Sequence, residues 1–374
     1  MRVELFVSHY RSMIGLARHS QAIQKYLDQA GIDYSLVYPN FPLVVKAADR
    51  VLKPYKFGVQ DFFNIYPISA NFSKNSVKHF TTQMMAGLLT LQPNLTKVVI
   101  SVHDIVPYMM RDNPDQNQYL RFYDRYIDAW AMHNISKADR IIAISDYTAQ
   151  MLIKHLNCPQ EKIRVVHNGL DHELFHPQIP SEDFKHRYDL SDNDRYLLYV
   201  GSENPRKNLP CLVQAFAKAR RSLPNLKLIK IGAPDHPGQY ALLQNLTRQL
   251  HLDESFIWVG QVPHQDLVNF YNFAYAFAFP SLYEGFGLPP LEAMACGTPV
   301  ICSNTASLPE VTGDAALQVD PEDVNGWADA ILEVMGNETL RNDLKNRGLA
   351  RAAMFTWSRN VEKTVEVYKE VDSL

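Results

Sequence analysis

The stretch Pro280-Ser-Leu-Tyr-Glu284-Gly-Phe-Gly-Leu-Pro-Pro-Leu-Glu292-Ala-Met-Ala-Cys-Gly297 decides the fold. It follows the apolar run 274–279, so the order predicted is strand, loop, helix. Gly285 and Gly287 let backbone approach a ligand closely. Pro289 and Pro290 suit the opening of a helix and Gly297 its end. On this reading Glu292 lies in the first helical turn, Glu284 lies in the loop before it, and the backbone N–H groups at the helix start face the cleft. Backbone N–H groups at a helix start stabilise an anion. Carboxylates accept paired hydrogen bonds from vicinal hydroxyls. Together they suit a phosphorylated ligand rich in hydroxyls.

The same alternation extends outward. Strands are expected over 196–200, 226–231, 256–259, 274–279, 299–302 and 316–319, with helical patterns between them. An earlier series occupies 3–8, 98–102, 140–144 and 164–167, with a helix over about 19–30 and Ser145 as a helix cap. Twice-repeated β-α-β order predicts an α/β chain of two parallel-sheet domains, joined by a polar linker over about 170–194. Residues 40–80 crowd aromatic side chains without clear periodicity. Parallel sheets bind ligands beyond the carboxyl ends of their strands, so the expected site is the cleft between the two sheets.

Length agrees with two domains: 374 residues, at roughly 100–200 per domain. With 46% hydrophobic and 21% charged residues, disordered, collagenous and disulfide-scaffold classes are excluded. The four cysteines lack CxxC spacing and read as reduced core thiols of a cytoplasmic protein. The first residues read as a strand rather than a leader, and no apolar run reaches membrane-spanning length. The net charge of −3 conceals a split: residues 1–170 hold 19 basic and 13 acidic side chains, the remainder 18 and 27. That split fits either two domains with different partners or plain compositional drift.

Three further segments follow expected strands. Gly201-Ser-Glu-Asn-Pro-Arg206-Lys207-Asn208 places two cations at a strand-to-helix turn with Asn208 as the cap, an arrangement suited to a diphosphate. Ser101-Val-His103-Asp104-Ile105 puts an imidazole at a strand end, able to donate a hydrogen bond or take a proton. Asp104 has two candidate roles, orienting backbone or bonding the imidazole. Met13-Ile14-Gly15-Leu16 lies in the loop after the first strand, where Gly15 either admits a phosphate or forms a plain turn. Asp192-Asn193-Asp194 precedes a strand and reads as a solvated turn rather than a metal–nucleotide site. No zinc spacing, GxGxxG, GxxxxGK[ST] or GxSxG occurs.

These segments together resemble the retaining family 4 glycosyltransferases of GT-B fold, in which Glu284 and Glu292 form the E-x7-E motif. The resemblance continues through 293–300, 307–315, Pro205-Arg-Lys-Asn208, His103-Asp104, Ile144-Ser145, residues 167–171 and Phe355-Thr-Trp-Ser358. It covers nearly all of 95–374 and the N-terminal third in outline. It implies two facing Rossmann-like parallel-sheet domains, 1–170 for the acceptor and 171–356 for the donor, with the donor site in the interdomain cleft. Residues 357–374 are then a helix packing back on the N-terminal domain. Glu292 is implied to bind ribose hydroxyls, and Glu284 the donor sugar beside Phe286, Gly287 and Leu288. Arg206 and Lys207 are implied to hold the diphosphate, Gly15 to approach it, His103 to lie near the reacting carbon, and the backbone at Val262 to meet the base.

Where many relatives carry Arg after the strand-ending glycine, this chain has Ser202, which shifts the phosphates onto Arg206 and Lys207. The donor half then keeps its cations confined to the phosphate site. The implied reaction needs no metal or other cofactor. It moves a hexose from a nucleotide diphosphate sugar, GDP-mannose first and a UDP-glucose or UDP-N-acetylhexosamine donor second, to a glycan or lipid-linked acceptor. A catalytically silent nucleotide-sugar-binding protein is the alternative of another class, and a phosphorylase or epimerase of the same fold a third. Nucleic acid is not an expected partner. The basic, aromatic residues 44–66 are expected to touch an anionic membrane at its cytoplasmic face.

Overall fold

A computed structural model describes residues 1–7, 14–41, 43–52, 59–113, 123–234 and 236–374. The chain divides into two compact units: Met1–Gly169 with Trp357–Leu374, and Leu170–Thr356. Each unit is built on one six-stranded sheet whose neighbouring strands all pair in parallel.

The first sheet comprises β1 (Val3–Phe6), β2 (Tyr34–Val37), β3 (Val77–Phe80), β4 (Val98–Val102), β5 (Arg140–Ala143) and β6 (Ile163–Val165), in the order β2-β1-β3-β4-β5-β6. Side chains alternate between two cores. Val3, Leu5, Val77 and Val99 face helix Ile14–Gln29 and the last helix, Trp357–Asp372, with Tyr368 and Val371 buried among them. Phe6, Phe80, Ile100 and Val102 face the opposite core. The C-terminal helix is also fixed by charge: Glu370 accepts from Arg140 Nε (2.8 Å) and from Arg164 Nε and Nη2 (3.0 and 2.8 Å). Those bonds, against the opposing effect of burial, lower the Glu370 pKa.

Three sequence expectations change here. The first helix begins at Ile14, five residues before its expected start, because its opening residues carry little apolar periodicity. β2 and β3 were not foreseen. β2 lies at the sheet edge and is only partly buried. β3 is wholly buried yet reads Val77-Lys-His-Phe80, which interrupts the apolar run a buried parallel strand ordinarily shows. Its polar groups find partners inside: Lys78 Nζ donates to Ser76 O (2.8 Å), and the His79 ring lies between Tyr368 Oη (2.6 Å at Nδ1) and Ser101 Oγ (2.8 Å at Nε2). Residues 40–80 further contain helices Leu43–Leu52 and Val59–Ile65. Ser8, Met13 and, within the basic aromatic stretch, Lys53, Tyr55, Lys56 and Phe57 lie outside the described residues.

The second sheet comprises β7 (Arg195–Val200), β8 (Leu226–Ile231), β9 (Phe256–Gly260), β10 (Ala276–Phe279), β11 (Val300–Ser303) and β12 (Ala316–Val319), ordered β12-β11-β10-β7-β8-β9. All six strands foreseen in this half are present, the second and sixth with the expected ends and the other four shifted by one or two residues. β7 is apolar throughout its buried middle, as a central parallel strand covered on both faces should be. The loop leaving β7 is anchored from beneath by a fully buried ion pair, Lys230 with Glu203, and Lys230 Nζ also donates to Gly232 O (2.9 Å). The sequence reading missed this pair. Asp192 and Asp194 precede β7, pair with Lys185 and Lys227, and so lie at the opposite edge from that loop. The cysteines are buried thiols, and burial raises Cys296 and Cys302 to about 12. Among the described residues, no helix is long and apolar enough to cross a membrane.

Two stability outcomes follow. Burial holds His79 neutral by lowering its pKa from 6.5 to about 3. The unfolded chain therefore takes up the proton first, and this contribution to stability is full above pH 6.5 and drains away toward pH 3. Tyr368→Phe leaves one ring nitrogen of His79 unpaired and should cost about 1–3 kcal/mol at neutral pH, read from urea midpoints; an unchanged midpoint contradicts this. Lys230→Met strands the buried Glu203 carboxylate and should cost about 3–5 kcal/mol, with Glu203→Met/Lys230→Met recovering most of the loss in a double-mutant cycle.

Candidate functional site

In the unit Leu170–Thr356, the strand order reverses direction between β7 and β10. Loops leaving those two strands meet at the carboxyl edge, where open parallel sheets bind ligands. The β7 loop carries Arg206 and Lys207 on a single 3₁₀ turn, Pro205–Lys207, whose start is capped when Arg206 N donates to Asn204 Oδ1 (3.1 Å). The β10 loop carries Glu284. Arg206 Nη1 stands 3.0 Å from Glu284 Oε2, and Lys207 Nζ donates to Glu284 Oε1 at 2.6 Å. Burial opposes ionisation of this carboxyl, but Arg206 and then Lys207 outweigh it and hold the pKa at about 2. Lys207 also lies 4.8 Å from the centre of the Phe279 ring. Backbone bonds stitch the two loops: Leu282 N donates to Arg206 O (2.8 Å), and Arg206 Nη1 to Tyr283 O (2.9 Å).

Glu284, Arg206 and Lys207 thus form one ionic cluster with a residual positive charge. An entering diphosphate competes with Glu284 for the cations, and a polyol competes with the cations for Glu284. Ser307 Oγ donates to Glu284 O and Phe286 O (3.0 and 2.7 Å), which fixes the loop from behind. Gly287 has φ of +117°, and a Cβ there would stand 2.8 Å from Leu308 Cδ2, so glycine is required.

The helix that follows is Leu288–Ala295. Pro289 and Pro290 carry no N–H, so the donors at its start are the backbone N–H groups of Gly287 and Leu288. Glu292 is the fifth helical residue, not part of the first turn; the helix begins at Leu288, ahead of both prolines. It is buried, and its Oε2 accepts from Tyr271 Oη at 2.9 Å. Val262 follows β9 on the same carboxyl edge of this sheet.

Two details depart from expectation. Asn208 holds the cap position in left-handed conformation (φ +54°), but its side chain donates to Pro321 O (2.6 Å) instead of capping the helix. Nor are the cations of this half confined to the phosphate loop: Lys185, Arg187 and Lys227 pair with acidic groups elsewhere. The Ser202 carbonyl accepts from Tyr199 Oη (2.9 Å).

In the unit Met1–Gly169 with its C-terminal helix, the order reverses between β1 and β3. Gly15 is the second residue of helix Ile14–Gln29 rather than part of a loop, so its backbone belongs to the helix's first turn. His103 follows β4 directly. Its backbone N–H donates to Gln83 Oε1 (3.1 Å), Gln83 Nε2 donates to Asp104 O (2.9 Å), and its ring Nε2–H donates to Thr81 O (2.9 Å). Of the two roles open to Asp104, the structure shows the backbone one: Oδ1 accepts from Val106 N (3.1 Å). The His19 ring meets His103 edge-on at 4.6 Å. Burial lowers the His103 pKa, against the raising influence of the Thr81 bond and Asp104.

Sequence reasoning missed Gln83, Thr81, Tyr271 and Ser307, which hold the foreseen residues in place. The end of β3 could have pointed to Thr81 and Gln83, whereas Tyr271 sits inside helix His264–Phe273 and carries no such signal.

Residues 180–351 match the family described as Glycosyl transferases group 1, and residues 13–174 match Glycosyltransferase Family 4. O-antigen chain mannosyltransferase B of Escherichia coli is 33% identical over 286 residues, spanning 75% of this chain and 72% of that protein. The solved sucrose-phosphate synthase of Thermosynechococcus elongatus has a TM-score of 0.75 at 21% identity, covering 100% of this chain and 99% of that one. Anabaena HepE, solved in complex with UDP-glucose, has a TM-score of 0.69 at 17% identity over 100% of both chains. The two solved structures are similar in fold. With both halves matched and both parallel sheets in place, the chain belongs to the family 4 glycosyltransferases of GT-B fold, and it is similar to mannosyltransferases.

Proposed function

We propose that this glycosyltransferase moves mannose from GDP-mannose to a glycan or lipid-linked acceptor, with retention of anomeric configuration and without a metal ion. The observation that carries this reading is the Arg206–Glu284–Lys207 cluster at the β7/β10 reversal. Charge accumulates on the leaving β-phosphate as the sugar C1–O bond breaks. Two cations and the backbone N–H groups of Gly287 and Leu288 offer preorganised stabilisation for that charge. The bonding pair leaves with the nucleoside diphosphate, the acceptor oxygen forms the new bond to C1, and its proton passes to a departing phosphate oxygen. Glu284 then binds sugar hydroxyls, Glu292 the ribose, the Val262 backbone the base, and Gly15 the diphosphate, while His103 serves the reacting region. Mannose is favoured by likeness to the mannosyltransferase of E. coli. HepE, crystallised with UDP-glucose, supports a UDP-hexose donor as the second reading.

The proposed lipid-linked acceptor agrees with one surface. Helix Leu43–Leu52 buries Val45 and Asp49 but turns Leu43 (84% exposed) and Val44 (77%) outward beside Lys46 and Arg50. Apolar tips flanked by cations suit an anionic membrane.

A donor panel tests the reaction. GDP-mannose should be the most rapidly used donor, giving an α-linked product from the α-linked donor; an inverted product sinks the retaining mechanism. Lys207→Ala and Glu284→Ala should lower kcat by roughly 100-fold or more with the fold intact, an effect of about 2.7 kcal/mol or more on the barrier. Intact turnover in both removes the cluster from the mechanism, and donor binding without turnover in the wild type points to a silent binding protein. Liposomes test the surface: binding to anionic vesicles at low salt should fall in Lys46→Glu/Arg50→Glu, and equal binding of both proteins rejects membrane contact.

A further inference from the structure

We infer that Gln83 is a positioning residue: with the Thr81 carbonyl it locks His103 as the Nε2–H tautomer and so presents Nδ1 as a hydrogen-bond acceptor. This rests on the role proposed for His103 above.

The lock is built from groups with few alternatives. A backbone carbonyl can only accept, so the 2.9 Å approach of Nε2 to Thr81 O puts the proton on Nε2. In a neutral imidazole the other nitrogen is then an acceptor. Gln83 grips the adjoining backbone at two points: its Oε1 takes the His103 N–H and its Nε2 donates to Asp104 O. An amide satisfies both; a carboxylate lacks the donor, and an apolar side chain lacks both. Thr82 Oγ1 also donates to Gln83 Oε1 (3.4 Å), which sets the orientation of the amide. Thr81, Thr82 and Gln83 directly follow β3, and His103 directly follows β4, its neighbour in the sheet. The clamp is therefore carried by two adjacent rigid strands. Gln83 is 6% exposed, which shields its bonds from competing water.

The surroundings favour the neutral ring. Among the described residues, Asp104 acts on the ring, and the ring in turn lowers His19 of helix Ile14–Gln29, which meets it edge-on, and His79 of β3. Both neighbouring histidines are held below their ordinary range, first by burial. Burial also outweighs the Thr81 bond and Asp104 at His103. The ring is thus uncharged at neutral pH, and Nδ1 accepts from a hydroxyl rather than donating to one. This narrows the chemistry left open by the sequence, where donating and accepting stood side by side.

Long-range proton–nitrogen NMR on wild-type protein without substrate should show His103 as Nε2–H at pH 7.5. An Nδ1–H tautomer overturns the inference, whatever the activity. Gln83→Met should lower kcat roughly 10- to 100-fold with the donor KM nearly unchanged. It should also move the acid limb of the pH–rate profile upward, because a released ring is more hydrated and protonates more readily. Gln83→Glu keeps one of the two bonds and should fall between. A merely structural role reduces active enzyme equally at every pH, so an unmoved acid limb, or unchanged kcat in Gln83→Met, overturns the positioning role. His103→Ala separates the layers. If it retains full turnover, the reading of His103 fails and positioning falls with it. If it loses turnover while Gln83→Met keeps it, only the present inference fails.

Discussion

Parallel strand pairing is the constraint on which the rest of this structure depends. In a parallel sheet every strand delivers its following loop to the same edge, however far apart the strands lie in sequence. Arg206 and Glu284 are 78 positions apart and meet because β7 and β10 are neighbours whose connections depart in opposite directions. The same rule brings Thr81 and Gln83 from β3 to His103 from β4. The apolar interior of the strands fixes the pairing, and the loops beyond the strand ends carry the polar groups proposed to supply the chemistry.

The two edges use polarity differently. In Leu170–Thr356 the groups proposed to act are ions held by pairing, Arg206 and Lys207 sharing Glu284, with Lys230 and Glu203 paired beneath them. Two adjacent cations beside a buried loop would otherwise repel, so the carboxylate that is proposed to bind sugar also holds the cations in place beforehand. Such a cluster exchanges partners on ligand entry instead of assembling from solvent, which limits the reorganisation needed. In Met1–Gly169 the polar groups at the edge are neutral rings, with His19, His79 and His103 oriented by carbonyl, hydroxyl and edge-on ring partners. Neutral groups avoid the desolvation penalty that makes buried charge costly.

The sequence revealed the parts of this design whose signal is local. β7 is apolar after Arg195 and β8 and β12 are mostly apolar, and their positions could be read within a residue or so. The loop at 280–287 announced itself through glycine and proline, because few other residues adopt its backbone or open the helix after it. What stayed hidden is non-local. β3 reads as polar until Tyr368, 289 positions from His79, is known to satisfy its imidazole. Gln83 looks like any surface glutamine until the two ends of its amide are seen to meet the peptide backbone at His103 and Asp104. Lys230 and Glu203, 27 positions apart, gave no sign of their pairing, since each charged residue alone reads as solvated.

The opening charge asymmetry is explained by these local pairings only in part. The phosphate binding proposed for the acidic half does not follow from its overall charge: Arg206 and Lys207 share the single carboxylate Glu284, so the cluster stays positive within a half that is acidic overall. What would matter for a ligand is where these charges sit: Arg206 and Lys207 are half-buried beside the buried Glu284, so water screens them less than it screens exposed side chains. Net charge of a half-chain cannot carry that information, because it averages compensated surface pairs such as Lys185–Glu182 with the few buried ones that matter. The basic excess in residues 1–100 is different in kind. There, Lys46 and Arg50 stand exposed beside outward-facing Leu43 and Val44, so the excess acts over distance on a surface rather than at a single atom. The two halves thus use electrostatics at different ranges, short and buried in one and long and exposed in the other.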